Sequence, residues 1–143
     1  MDWAALEETR RLYGRRGEEA AYQAERNRLI AAGGDPERVR WISRDIETAD
    51  HDLESVGEDG KPIYIEVKTT SSDDPGEAFP ISAAELLCAA KHQEHYFIYR
   101  VTRVRDAVPR ITAYAEPLNL VERGLATLDF AQGRMRLPPA ALG

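Results

Sequence analysis

The chain has one cysteine, Cys88, in 143 residues. No internal disulfide can form and no cysteine-rich zinc site can be built, and a lone thiol fits a reducing compartment. No apolar run approaches the roughly 20 residues that a membrane-spanning helix needs. The start, Met1-Asp2-Trp3-Ala4, carries an early acid and lacks the positive-then-apolar order of a secretory signal. These absences predict a cytoplasmic protein with no membrane partner. Positive charge is also short: 19 Lys and Arg stand against 25 Asp and Glu, a net charge of -6. The deficit is local. Residues 1–50 hold nine basic and eleven acidic groups, residues 51–94 three and ten, and residues 95–143 seven and four. A bare acidic centre repels phosphate. An acidic centre holding a divalent cation does not, because the ion inverts the local charge logic. The plain alternative is a solvated acidic surface, which composition alone favours.

What is present suffices for one domain over residues 1–143. The length, with a 43% hydrophobic and 31% charged composition, supports a core without covalent staples. There is no internal repeat or low-complexity tract. The first thirty or so residues read as helix in two pieces around Gly14 and Gly17, the second from about Glu18 to Ala32. Gly33-Gly34-Asp35-Pro36 ends it. Val39, Trp41 and Ile42 suggest a first strand. Residues 51–56 and 62–70 read as a hairpin around Gly57-Glu58-Asp59-Gly60. Ser71 to Gly76 is a loop. Ser82 and Glu85 have capping-box spacing, with Ile81 and Leu86 placed as a hydrophobic staple, so a helix should start there and run to about His92. His95–Arg103 and Arg110–Ala115 read as strands. Asn119–Arg123 reads as a helical turn, and 125–130 pairs with 134–137 around Gln132-Gly133. The sum is a mixed α/β sandwich of one sheet with helices packed against it.

The hairpin carries the chemistry. Strand side chains alternate, so Ile63, Ile65 and Val67 share one face and Tyr64, Glu66 and Lys68 the other. Leu53 joins the apolar face, and a turn centred on Asp59 sets Asp52 opposite Glu66. Two facing carboxylates destabilise an antiparallel pair. A divalent cation offsets that: Mg²⁺ takes one or two carboxylates plus waters and phosphate oxygens. Lys68, two residues on, could bind a phosphate oxygen or orient the attacking water, an arrangement suited to metal-assisted phosphodiester hydrolysis. The alternative is an ordinary charged strand face. A two-residue slip would make Asp52–Lys68 a plain ion pair, and spacing alone slightly favours the ordinary charged face over a metal site. On the first helix Glu18, Ala21, Glu25 and Leu29 share a stripe flanked by Tyr22, so at least one glutamate points inward and needs a partner. Either a metal on the sheet supplies it, or Glu18 and Glu25 pair with Arg15, Arg26 or Arg28 on a solvated face.

With these residues in place, the chain resembles the PD-(D/E)XK nuclease superfamily, of restriction-endonuclease-like fold. Within it the likeness is to the domain at the C-terminus of the plant NO VEIN protein and in many bacterial proteins. Five stretches carry it in order from residue 14 to 101. They are Gly14-Arg15-Arg16-Gly17-Glu18, His51-Asp52-Leu53-Glu54-Ser55, Tyr64-Ile65-Glu66-Val67-Lys68-Thr69-Thr70, Phe79-Pro80-Ile81-Ser82 with Glu85, and Tyr96-Phe97-Ile98-Tyr99-Arg100-Val101. The resemblance implies a central sheet flanked by helices and a Mg²⁺ or Mn²⁺ site. Asp52, Glu66 and the backbone carbonyl of Val67 would bind the metal. Lys68 would act on the water or the scissile phosphate, and Glu18 would support the metal or its water.

Other residues read more plainly. His51 alternates onto the opposite face from Asp52 and reads as structural or surface. His92 and His95 flank a helix-to-strand turn. Cys88 reads as core, Glu85 is explained by its capping box, and Lys91 suits the helix C-terminus. Trp3 and Trp41 read as packing residues. Thr69 and Thr70 leave the strand close to the site. Arg100, Arg103, Arg105 and Arg110 form a basic group suited to backbone contact or to an ordinary edge strand. The expected function is divalent-metal-dependent cleavage of nucleic acid, DNA before RNA, in defence against foreign DNA and with a homodimer plausible. The alternative is a catalytically silent module of the same fold that binds nucleic acid or a protein partner such as an ATPase or helicase.

Overall fold

The structure, a computed structural model, describes residues 2–140. The chain opens with α1, Trp3–Ala31, one unbroken helix. Asp2 caps it by accepting from the Ala5 amide at 3.1 Å. The expected break at Gly14 and Gly17 does not occur. Both glycines sit inside the helix, and Gly17 is there because the sheet requires it. A Cβ on Gly17 would lie 1.9 Å from Thr69 Oγ1, so this is where α1 touches the sheet. The buried positions of α1 follow from it at helical spacing: Gly17, Ala21, Glu25 and Leu29. The first half of the helix carries no buried residue, and Trp3 is 68% exposed rather than packed.

Five strands make the main sheet: β1 (Arg40–Trp41), β2 (Leu53–Val56), β3 (Pro62–Thr69), β5 (Tyr96–Thr102) and β6 (Arg110–Ala115), in the order β1-β2-β3-β5-β6. A short helix, α2 (Ile42–Asp45), follows β1, so Ile42 is helical rather than strand. The pair β3–β5 is parallel and the others are antiparallel. The parallel crossover is made by β4 (Phe79–Pro80) and α3 (Ala83–His92), whose capping box is present in full. The chain ends with α4 (Pro117–Glu122), β7 (Thr127–Asp129) and β8 (Arg134–Arg136). This is a mixed five-stranded sheet flanked by helices, compatible with a restriction-endonuclease-like fold. The single expected sheet is joined by a second, in the order β4-β8-β7. Its strands are two or three residues long, too short to leave an alternating pattern.

The two faces of the main sheet are both covered. On one, α1 packs Ala21 against Ile65, Val67, Leu53 and Val101. On the other, Cys88 and Ala89 of α3 pack on Tyr96 and Ile98, with Phe79 and Met135 of the small sheet. A central strand covered on both faces has no solvated side. That places the polar face of β3 indoors: Glu66 is 7% exposed.

The buried glutamate of α1 has its own partners. Glu25 is 2% exposed, accepts from Arg28 at 2.7 and 3.0 Å, and accepts from the Tyr99 hydroxyl at 2.8 Å. The inward carboxylate is thus served by an arginine and a tyrosine, and the Glu25–Arg28 pairing lies in the interior rather than on the solvated face expected for it. Tyr99→Phe leaves this carboxylate one donor short. It should cost about 1.5 kcal/mol in urea unfolding, and an unchanged midpoint would refute the assignment.

Candidate metal centre

The site lies where β2 begins. Leu53 pairs with Ile65, the register expected from the turn, and the Asp52 amide donates to the Ile65 carbonyl at 2.9 Å. Asp52 itself precedes the strand. Its carbonyl accepts from the amides of Ile42 and Ser43 at the start of α2. Its side chain takes the place of a missing ladder partner, with Oδ2 accepting from the Val67 amide at 2.8 Å. Alternation along β3 turns the Val67 carbonyl to the same side, past the point where β2 pairing starts. Asp52 is therefore fixed by hydrogen bonds along both its backbone and its carboxylate.

Glu18 reaches the same place from α1. Its Oε1 accepts from Trp41 Nε1 at 2.9 Å and from the Ser43 hydroxyl. Burial, and then the charge of Asp52, raise its carboxyl above the usual range, while the Ser43 and Trp41 hydrogen bonds oppose this. Glu66 stands on the α3 side. Burial first and the Asp52 charge second push its carboxyl well above the ordinary value. Lys68 Nζ lies 3.7 Å from Glu66 Oε1 and donates to Glu85 Oε1 at 2.8 Å. The structure thus brings Asp52, Glu66, Lys68 and Glu18 together where β2 begins beside the central strand β3, Glu18 from the α1 side and Glu66 from the α3 side.

Sequence reasoning missed four contributors. Glu85 caps α3, accepting from the Ser82 amide at 3.1 Å, and also holds Lys68. The capping box explained it so fully that no signal remained. Trp41 and Ser43 position Glu18. Tyr96, on the Glu66 side, buries its hydroxyl without a hydrogen-bond partner, and burial and then Glu66 push its ionisation far up.

Several expectations need correction. His51 is not on the opposite face from the site. It meets the Tyr64 ring edge-on at 5.3 Å, because alternation starts only at Leu53. Arg100 does not belong to a surface basic group. It is 1% exposed, donates to the Glu77 carbonyl at 3.1 Å and stacks over Phe79. Thr69 does not leave the strand: it is the last residue of β3, and its side chain meets Gly17 of α1.

The donor set suits a hard divalent cation. Asp52 and Glu66 offer carboxylate oxygens, Val67 a carbonyl, and the ion would offset the burial, and then the Asp52 charge, that raise the Glu66 carboxyl. Glu18 does not close this into a three-carboxylate cage. Among the described residues, the trio of ligand side chains whose donor atoms lie within 4.8 Å of one another is Asp50, His51 and Cys88.

No helix is long and apolar enough to cross a membrane among the described residues. No curated protein and no solved structure matches the chain. The family model of the C-terminal domain of Protein NO VEIN matches residues 17–113, from the glycine that seats α1 on the sheet, through every residue of the Asp52–Glu66–Lys68 cluster, into β6. The chain belongs to the NO VEIN C-terminal family.

Proposed function

We propose that this protein is a divalent-metal-dependent phosphodiesterase that cleaves nucleic acid, DNA more readily than RNA, at the site of Asp52, Glu66 and Lys68. The observation that carries the reading is the Asp52–Glu66 pair. One carboxylate is locked onto the Val67 amide at 2.8 Å. The other is buried beside it at a cost in ionisation that a cation would remove. Bound Mg²⁺ or Mn²⁺ would supply an acidified water and neutralise charge growing on the phosphate oxygens. Asp52, Glu66 and the Val67 carbonyl would hold the ion, and Glu18 would support it from the α1 side. Lys68 donates to the water or to a phosphate oxygen, and Glu85 sets where its ammonium stands.

A second reading is a silent module of the same fold that binds nucleic acid or a protein partner. One observation favours it: Lys68 is held by Glu85 and Glu66 rather than offered to solvent. A cleavage panel of plasmid, single-stranded DNA and RNA with Mg²⁺ or Mn²⁺ separates the two. EDTA should abolish cutting, and Lys68→Ala should slow it about a hundredfold or more with the melting curve retained. Cutting that persists unchanged in Lys68→Ala rules out the proposed role. No cutting of any substrate, in protein that Mn²⁺ does not stabilise, supports the silent module.

A further inference from the structure

We propose that Asp50, His51 and Cys88 form a second metal site, one that takes a borderline-soft transition ion such as Zn²⁺ and is chemically distinct from the Asp52–Glu66 pair. The three donors come from two separate segments. Asp50 and His51 lie in the turn before β2, and Cys88 projects from α3. Their ligand atoms nevertheless lie within 4.8 Å of one another. Tetrahedral Zn²⁺, with bonds of about 2.0 Å to nitrogen or oxygen and about 2.3 Å to sulfur, sets its ligands roughly 3.3 to 3.8 Å apart. A shift of about 1 Å closes the trio, and Asp50, with its side chain 52% exposed, is free to make it.

His51 stands between two carboxylates, a position that either a doubly protonated ring or a metal ion satisfies. Nδ1 faces Asp50 Oδ1 at 2.7 Å and Nε2 faces Glu54 Oε1 at 3.0 Å. A neutral imidazole has one N–H and so can satisfy only one of two acceptors. When Nε2–H donates to Glu54, Nδ1 presents its lone pair to the Asp50 carboxylate, a repulsive contact. A metal ion between Nδ1 and Asp50 turns it into two coordination bonds. A carboxylate on the far nitrogen is the arrangement that orients a metal-bound histidine and raises its basicity, and Glu54 stands there. Tyr64 packs against the ring and stacks in turn on His92 at 3.7 Å, which limits how far the imidazole can rotate.

Donor chemistry selects the ion. A sulfur, a nitrogen and one oxygen favour Zn²⁺ or Co²⁺, whereas Mg²⁺ requires oxygens throughout. On binding, the Cys88 thiol proton leaves to solvent and the sulfur coordinates as thiolate. Three protein donors would leave one tetrahedral position for water. The ion would tie the turn carrying Asp50 to α3, two residues before Asp52.

Co²⁺ titration of the full chain tests it. One equivalent should produce a sulfur-to-cobalt charge-transfer band in the near ultraviolet, and Zn²⁺ should displace it. Cys88→Ser should lose the band while keeping the Mn²⁺ stabilisation of the other site. Glu54→Gln should weaken Zn²⁺ binding roughly tenfold or more. Asp50→Asn, at an exposed side chain that leaves the core untouched, should weaken Zn²⁺ binding at least tenfold. This keeps the test decisive if Cys88→Ser does not fold. The proposal is overturned if folded wild-type protein shows no sulfur band. It is also overturned if band and affinity are unchanged in both His51→Ala and Asp50→Asn, since the thiol would then be acting alone.

Discussion

Glu66→Gln should abolish metal-dependent cleavage and, in the same protein, stabilise the metal-free fold. Removing a ligand carboxylate should cost more than about a hundredfold in rate. The stability effect has the opposite sign because burial, and then Asp52, hold the Glu66 carboxyl well above its ordinary value. The folded state then binds this proton more tightly than the unfolded chain. The resulting stability is present below the usual carboxylate range and is lost as pH rises through the folded value. Glutamine cannot ionise and avoids that loss. In EDTA the variant should therefore melt above wild type, by a margin that widens as pH rises above the usual carboxylate range. In Mn²⁺ the order should reverse, since an ion bound only by the native state stabilises wild type alone. Melting curves at two pH values, with and without Mn²⁺, read all four cases. A margin that ignores both pH and metal would remove Glu66 from the site.

Two glycines three residues apart on one helix should answer the same substitution with opposite signs. Gly14 has nothing within 4 Å of an added Cβ. Gly14→Ala should stabilise by roughly 0.5–1 kcal/mol, through reduced freedom of the unfolded chain and better helix propensity. At Gly17 the added carbon falls 1.9 Å from Thr69 Oγ1 and 2.9 Å from Thr69 Cβ. A β-branched side chain in a strand cannot swing away, so α1 must lift. Gly17→Ala should cost about 3 kcal/mol, the upper end of overpacking. Because Glu18 is the next residue, the lift should also draw it from Trp41 and Ser43. Urea unfolding of both variants decides the matter, and equal effects would mean that the α1–β3 contact is misplaced.

The elements legible in the sequence were those with a local signature. The hairpin was readable because alternation and an Asp-Gly turn specify its register, and Leu53 does pair with Ile65. The start of α3 was readable because Ser82 and Glu85 sit at capping-box spacing. Gly14 and Gly17 misled, because propensity marks glycine as a helix breaker while the close approach of a strand demands it. The small sheet was hidden by the brevity of β4, β7 and β8, although the pairing around Gln132-Gly133 was visible. His51 was misplaced because alternation was extended two residues beyond the strand that enforces it.

The amino-acid order alone determined the acidic centre, the two-faced hairpin, and the set Asp52, Glu66 and Lys68 on adjacent stretches of it. These depend on the two-residue period of a strand and on turn chemistry, which act over a few residues. Tertiary structure alone decided that Glu66 is buried, because α3 closes over a face that the strand's own pattern reads as polar. It also decided that Glu85 holds Lys68, that Arg100 is interior, and that Cys88 meets Asp50 and His51. Each of these depends on segments far apart in the chain and on which face a distant helix covers, and neither composition nor periodicity encodes that.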